Sequence, residues 1–287
     1  MRHPFIVNLN FAFQTKTKLF LILDFCPGGD LGKIIVHERR FSEDRARLYV
    51  SEILLALQDL HKRDIIYRDL KPDNVVLDDE GHALLTDFGL SKEGVLEVNK
   101  GAKSFCGSIA YLAPEMLRRV GHGKSVDWYL LGVLLYEMLV GTPPYFSGNK
   151  EELFNNIING PLKLPRSIST EAKNLMVSLL NRNPTRRLGA GPDGAVEIMK
   201  HPFFATVNWD DVLCKRTSPP KPRIRTEHFN HQYPYSEFSK EQINAIFDDE
   251  AELANEAQNP DLNNTNAGTA NVDGWSFVKM TQSHIEM

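Results

Sequence analysis

Cysteine is scarce in this chain: Cys26, Cys106 and Cys214 are the only three in 287 residues. They lie far apart and show no metal-ligand spacing. That pattern excludes a disulfide-stapled scaffold and points to a reducing, cytosolic or nuclear setting. An excess of one charge is also missing. The net charge is −4, so the basic face that nucleic-acid binding usually needs is not expected, and nucleic acid is not an expected partner. Long hydrophobic runs are absent too. The most apolar one, Trp128 to Val140, is short for a membrane span and contains Glu137, so it reads as a buried core helix. The opening Met1-Arg2-His3-Pro4 lacks the apolar stretch of a signal peptide, and no internal repeat is apparent. What remains, 42% hydrophobic and 24% charged residues, is the composition of a globular chain rather than a disordered or collagen-like one. Its length allows one large domain or two modest ones.

Along the chain, Phe5 to Phe25 reads as strands. Leu19-Phe20-Leu21-Ile22-Leu23 is an unbroken apolar run after a turn at Lys16-Thr17-Lys18, and Pro27-Gly28-Gly29 ends it. Ser42 predicts a helix N-cap, with Glu43 and Asp44 placed where the helix dipole favours acids. Ala46, Tyr49, Val50, Ile53, Leu54, Leu57 and Leu60 then follow helical spacing. Val75-Val76-Leu77 and Ala83-Leu84-Leu85, joined by Asp78-Asp79-Glu80-Gly81, predict a hairpin. From Trp128 onward the pattern is helical, with further helices over Ala172 to Leu180 and Ala195 to Lys200. After Phe204 the composition shifts. Ser218-Pro219-Pro220-Lys221-Pro222 is extended chain, and between Lys240 and Lys279 there are eight acids and no Lys or Arg. The stretch Asn255 to Asn271 is rich in Asn and Ala and reads as flexible. Early strands followed by helices predict an α+β fold dominated by helix.

The hairpin carries the chemistry. Residues flanking an antiparallel pair meet at its open end, which predicts that Asn74 and Asp87 lie together. Both offer oxygen ligands suited to Mg²⁺. Asp69 and Lys71 sit on the same loop, so a base, a cation and two metal ligands converge. That set suits phosphoryl transfer, in which positioning and charge neutralisation do most of the catalysis.

Tyr67-Arg68-Asp69-Leu70-Lys71-Pro72-Asp73-Asn74 resembles the catalytic loop of protein kinases. Asp87-Phe88-Gly89 resembles their metal-binding motif, and Ala113-Pro114-Glu115 the end of their activation segment, all in kinase order. Ser104-Phe105-Cys106-Gly107-Ser108, the Ser218 to Pro222 segment and Val272-Asp273-Gly274-Trp275-Ser276-Phe277 narrow the resemblance to the AGC group of serine/threonine kinases. Protein kinase B and the ribosomal and serum/glucocorticoid-regulated kinases belong to it. The resemblance implies a protein-kinase-like fold, mainly the helical C-lobe with the last N-lobe strands. Residues 1–204 would form the catalytic domain, with its N-lobe truncated, and 205–287 the AGC C-terminal extension.

The function implied is transfer of the ATP γ-phosphate to Ser or Thr of protein substrates. Asp69 would orient or accept the hydroxyl proton and Lys71 would steady the γ-phosphate. Asn74 and Asp87 would hold Mg²⁺. Leu23 matches the gatekeeper, Asp24 and Cys26 the backbone contacts to adenine, and Val76 the floor of the purine pocket. Asp73 matches both an ATP-site and a substrate position. Asp30, Asp73 and Glu137 match acids that bind arginines before the phosphoacceptor, and Ser108 a substrate-docking position, although Gly107-Ser108-Ile109-Ala110 departs from the usual Gly-Thr-Pro-Glu. Glu115 and Arg187 match the ion pair bracing the activation segment, and Asp127 the anchor of the catalytic-loop backbone. Ser104 and Ser276 match phosphorylation sites, the first a target of an upstream phosphoinositide-dependent kinase, with Arg68 and Lys92 to hold its phosphate.

The family's Gly-rich loop, strand lysine and partner glutamate have no counterpart here, and Lys33 and Glu38 lie after the hinge. Two readings follow: an incomplete copy of an active kinase, which the intact acid set favours, or a catalytically weak chain acting as a binding or scaffold module. Without the helix of the small lobe, the tail around Trp275 and Phe277 is expected to stay undocked. Gly189-Ala190-Gly191-Pro192-Asp193-Gly194 matches a nucleotide-binding glycine pattern but follows no strand, so it reads as a loop between helices.

Overall fold

A computed structural model describes residues 2–14, 18–95 and 108–221, and the backbone of the short strand Phe277–Val278. The expected turn at Lys16-Thr17, the phosphorylation candidates Ser104 and Ser276, and the Asn-rich stretch lie outside the described residues. The chain divides into two units, one built from residues 2–7 with 26–221, the other from 8–25 with the Phe277–Val278 strand.

In the larger unit, α1 (Leu31–Glu38) is capped by Asp30, whose Oδ1 accepts from Lys33 N at 2.8 Å. Only Leu31 and Ile35 are buried in it, too sparse a stripe for periodicity to reveal. The long α2 (Glu43–Lys62) starts at Ser42 as its sequence predicts. Ser42 Oγ accepts from Arg45 N, and the helix buries the apolar stripe from Ala46 to Leu60. Pairing of β3 (Val75–Leu77) with β4 (Ala83–Leu85) forms the hairpin, in the register Val75↔Leu85. Short α3 (Pro114–Leu117) is followed by α4 (Ser125–Val140), buried nearly all round. Such a helix has neighbours on every side and no polar face. Then come α5 (Lys150–Asn159), α6 (Thr170–Leu179), α7 (Ala195–Met199) and α8 (Trp209–Leu213). Like α1, α5 shows too little apolar repeat to stand out, burying only Leu153 and Ile157. Among the described residues no helix is long and apolar enough to cross a membrane.

The hairpin is held on every side. Along β4, Leu85 N donates to Phe5 O and Val7 N to Leu85 O, both at 2.9 Å. Phe5 to Val7 is therefore an extended flank with one bridge rather than the strand its sequence suggests. Along β3, Gly28 N donates to Leu77 O at 3.0 Å and Leu77 N to Gly29 O at 2.9 Å. At the turn, Asp78 Oδ1 accepts from the backbone N–H groups of Glu80, Gly81 and His82, while Oδ2 pairs with Lys215 Nζ at 2.7 Å. Beneath it, Glu52 of α2 reaches His82 Nδ1 at 2.6 Å and accepts from Ala83 N at 2.8 Å. Burial pushes the Glu52 carboxyl up, against the pull of these two partners.

The glycine-rich segment before α7 is a packing device. Gly189 has φ +83°, its N donates to Glu197 Oε2 and its O accepts from Trp128 Nε1. A Cβ there would lie 2.7 Å from Ile198 Cδ1. Only a residue without a side chain fits at this point.

In the smaller unit, β1 (Leu9–Gln14) pairs antiparallel with β2 (Leu19–Leu23), and Phe13 stacks on Phe20 at 4.8 Å. The other edge of β1 pairs with β5 (Phe277–Val278), in the register Phe11↔Val278. This overturns the expectation of an undocked tail. A strand edge offers a row of N–H and C=O groups to which an extended segment can pair through its backbone.

Glu52→Ala should leave His82 and the Ala83 N–H without their buried acceptor. Breaking a buried pair from one side costs about 3 kcal/mol or more. Urea unfolding should show a loss of that order, and a loss below about 1 kcal/mol would show that the hairpin does not depend on this clamp.

Candidate active site

The site is built outward from Asp127. This carboxylate is fully buried in the first turn of α4 and accepts three hydrogen bonds: Tyr67 N at 2.9 Å, Arg68 N at 2.8 Å and His61 Nε2 at 2.7 Å. Two of these hold consecutive backbone N–H groups, so the chain is fixed where Arg68 adopts φ 69°. That left-handed value is costly for a residue with a side chain. Tyr67 helps from its other end, its hydroxyl donating to Thr86 O, and Arg68 Nε donates to Leu90 O at 2.7 Å.

Asp69 comes next and gathers the loop. Asn74 Nδ2 donates to both Asp69 O at 2.9 Å and Asp69 Oδ2 at 2.7 Å, and Lys71 Nζ lies 3.0 Å from the same Oδ2. With its amide nitrogen so engaged, Asn74 has its carboxamide oxygen to offer a cation. Pro72–Asn74 forms a 3₁₀ turn leading into β3. The hairpin register sets Thr86 opposite Asn74, with Thr86 N donating to Asn74 O at 3.1 Å. Asp87 therefore stands one residue further along than the hairpin-end argument alone would place it. It has φ 54°, and its Oδ1 accepts from Gly89 N at 3.2 Å.

The carboxamide oxygen of Asn74 and the carboxylate of Asp87 are oxygen donors of the kind that suits a hard divalent cation retaining water and phosphate ligands. The charge around it is negative. Burial first, then Asp69, Asp87 and Asp127, pushes the Tyr67 hydroxyl well above its ordinary range. A bound cation and an adjacent Lys71 would answer that field.

The residues matched to adenine are divided between the units. Leu23 ends β2 and is half exposed. Asp24 turns its carboxylate onto Asn8 N at 3.2 Å, Asn8 Nδ2 at 2.5 Å and Asn10 Nδ2 at 2.9 Å. In the larger unit, Cys26 O accepts from Gly29 N at 3.4 Å, and Val76 bridges to Asp30.

The residues matched to substrate arginines do converge in part. A Cβ on Gly32 would lie 3.2 Å from both Asp30 Oδ1 and Asp73 Oδ1, so the two carboxylates crowd one point above the start of α1. Asp30 is also paired with Lys33 Nζ at 2.8 Å. Glu137 is pushed up to about 7, chiefly by burial and further by the charge of Asp73, while a hydrogen bond from Tyr111 opposes the shift. Its Oε2 is buried without a hydrogen-bond partner. Ser108 is exposed and starts the Ile109–Tyr111 turn that carries Tyr111.

Elsewhere, Arg187 grips Glu115 bidentately at 2.7 and 3.0 Å and also donates to Ser125 O and Asn181 O. Lys92 is placed by a backbone pair with Ile66, two bonds of 2.9 Å. Sequence reasoning did not single out His61, Tyr111 or Glu52. Each acts through a partner far along the chain, Asp127, Glu137 and His82 respectively, which no local pattern announces.

Residues 1–204 match the family model described as "Protein kinase domain". The chain is 50% identical over 225 residues to Protein kinase 2 of Dictyostelium discoideum, covering 78% of this chain and 46% of that protein. It is 49% identical over 220 residues to Ribosomal protein S6 kinase alpha-6 of Danio rerio and, equally, to Ribosomal protein S6 kinase alpha-3 of Homo sapiens, covering 77% of this chain and 30% of each relative. The chain thus spans less than half the length of these relatives. With the catalytic-loop, metal-binding and activation-segment motifs all within the matched region, the chain belongs to the protein kinase family, in the AGC group that includes the ribosomal S6 kinases.

Proposed function

We propose that this chain transfers the γ-phosphate of ATP to Ser or Thr hydroxyls of protein substrates. The observation that carries the reading is the convergence on Asp69, whose Oδ2 lies within 3.0 Å of both Lys71 Nζ and Asn74 Nδ2. Asp69 receives or orients the substrate hydroxyl proton. Lys71 neutralises charge on the transferred group. Asn74 and Asp87 hold Mg²⁺, which when bound neutralises and orients the phosphates. The relatives are named as kinases of ribosomal protein S6, which supports a protein rather than a small molecule as substrate. Residues 1–204 are read as the catalytic domain and 205–287 as the AGC extension, at work in the cytosol or nucleus.

Substrate choice is read as Arg-directed. The crowding of Asp30 and Asp73, and the unpartnered Glu137 Oε2, support it. A guanidinium pairs bidentately with carboxylate and relieves both. Regulation is read as phosphorylation of Ser104 by an upstream phosphoinositide-dependent kinase, with Arg68 and Lys92 receiving the phosphate. The placement of both cations beside the catalytic loop supports this.

Asp69→Asn in the intact protein should lower turnover by about 10²-fold or more while leaving its unfolding profile unchanged. Near-normal phosphate transfer by that variant would remove Asp69 from its role. Glu137 becomes anionic as pH rises through about 7, so an Arg-bearing peptide should bind several-fold more tightly at pH 8 than at pH 6. A peptide with Ala in place of Arg, or the Glu137→Gln variant, should show a flat profile. Equal slopes in all three would sink the assignment. Ser104→Ala should cost most of the activity, read as incorporation of labelled phosphate into a peptide. Full activity in that variant would refute the switch.

A further inference from the structure

Lys215 follows α8 and is held at φ 53°. The backbone around it closes that helix as a Schellman motif: Arg216 N donates to Asp211 O at 2.8 Å, and Lys215 N to Val212 O at 2.9 Å. Lys215 takes the left-handed position, where glycine fits best because it has no Cβ. A side chain kept there against strain points to a use. Its ammonium supplies one. Nζ lies 2.7 Å from Asp78 Oδ2, one residue past β3, and 5.8 Å from the centre of the Phe5 ring. Phe5 O in turn accepts from Leu85 N, at the end of β4. One cation therefore touches the flanks of both hairpin strands. Its own base is firm. Val212 of α8 is buried, and Trp209 packs on Phe204 with ring centres 5.3 Å apart. Burial alone would push the Asp78 carboxyl up, but the hydrogen bond from Lys215 and those of the turn hold it below its ordinary range. Asp78 Oδ1 is engaged separately, by the N–H groups of Glu80, Gly81 and His82. Those three bonds close the turn without Lys215. What Lys215 adds is the attachment of that turn to α8.

We propose that Lys215, a residue of the segment read as the C-terminal extension, is a positioning residue for the metal ligands. By fixing the turn of the hairpin to α8 it fixes the tilt of the hairpin, and so the separation of Asn74 and Asp87 at the open end. β3 and β4 are three residues each, short enough to pass a displacement of the turn to the other end. Thr86 N, bonded to Asn74 O at 3.1 Å, is the last rung before Asp87. The inference rests on the reading of Asn74 and Asp87 as ligands of a divalent cation, and it adds the start of the extension to the elements that shape their site.

The test uses the full chain and Mn²⁺, a hard divalent probe that broadens the signals of nearby amides. The titration is followed at the Gly89 amide, which donates to Asp87 Oδ1, under conditions where circular dichroism shows every variant folded. Lys215→Gly removes the ammonium and relieves the left-handed strain. Its urea midpoint should stay close to that of the wild type, because the relief offsets the loss of one partly exposed ion pair. Its Mn²⁺ affinity should nevertheless fall about fivefold, less than the roughly tenfold or greater loss that follows removal of a residue bonded directly to a metal ligand. The Thr86 amide should also exchange faster with solvent. Lys215→Arg keeps the cation and should restore most of the affinity. Wild-type Mn²⁺ affinity in Lys215→Gly, with or without a lower urea midpoint, overturns the proposal and makes Lys215 a structural tie alone. A loss in Lys215→Arg as large as in Lys215→Gly overturns it too, because the cation is then not what matters. Asp87→Ala separates this failure from that of the underlying reading. If that variant binds Mn²⁺ as the wild type does, Asp87 is not a metal ligand and the positioning role falls with it. If Asp87→Ala weakens binding while Lys215→Gly does not, the metal reading stands and only the role of Lys215 falls.

Discussion

Everything in the larger unit depends on one buried carboxylate holding a backbone in a costly conformation. Asp127 sits in the first turn of a helix that is enclosed on all sides, so its position is dictated by core packing rather than by solvent. From there it pins Tyr67 N and Arg68 N, and Arg68 tolerates its left-handed φ because of that grip. Asp69, the next residue, inherits an orientation it could not hold alone. A carboxylate with no partners would be ruinous at such burial. Here three donors, His61 among them, distribute its charge over the catalytic loop and α2.

The second constraint is the hairpin, which brings Asn74 and Asp87 to the same end. Two short strands of three residues would be marginal alone. Their stability is borrowed from four sides: Phe5 to Val7 along one edge, Gly28 and Gly29 along the other, Glu52 beneath, and Lys215 at the turn. Glu52 and Asp127 divide the work. One ties the far end of the hairpin to α2, and the other ties the loop before the near end to α4. Asn74 and Asp87, the proposed metal ligands, stand between the two anchors. Arg187, braced against Glu115 and the Ser125 carbonyl, extends the same logic to the end of the activation segment.

Charge in this unit is zoned. Carboxylates gather at the catalytic loop and again above α1, where a metal with its phosphates and a substrate arginine would be received. Away from those carboxylates, Arg68 and Lys92 bear on the buried His122. His122 lies in the second zone and is neutral because burial and those cations keep it so. Glu137 is its counterpart in the first zone, a carboxyl raised to about 7 chiefly by burial, with the charge of Asp73 adding to the shift. Each is held near the form that its surroundings permit.

How much of this is legible in the sequence depends on range. The cap at Ser42, the stripe from Ala46 to Leu60, the two hairpin strands and their Asp-rich turn follow from local chemistry, and the ordered motifs around Asp69, Asp87 and Glu115 identify the family. The short helices α1 and α5 do not stand out, because each buries only two residues and leaves no period to detect. The one-residue offset of Asp87 from Asn74 depends on strand register, and the seating of Phe277–Val278 on β1 depends on an open backbone edge. Neither has a side-chain signature. The sequence by itself determined which residues could do the chemistry and where the long helices and the hairpin strands fall, because those follow from neighbours within a few positions. Only the tertiary structure decided which carboxylates are buried, which cation each one meets and how far each is pushed from its ordinary protonation, because burial and Coulomb interaction depend on distance in space rather than along the chain.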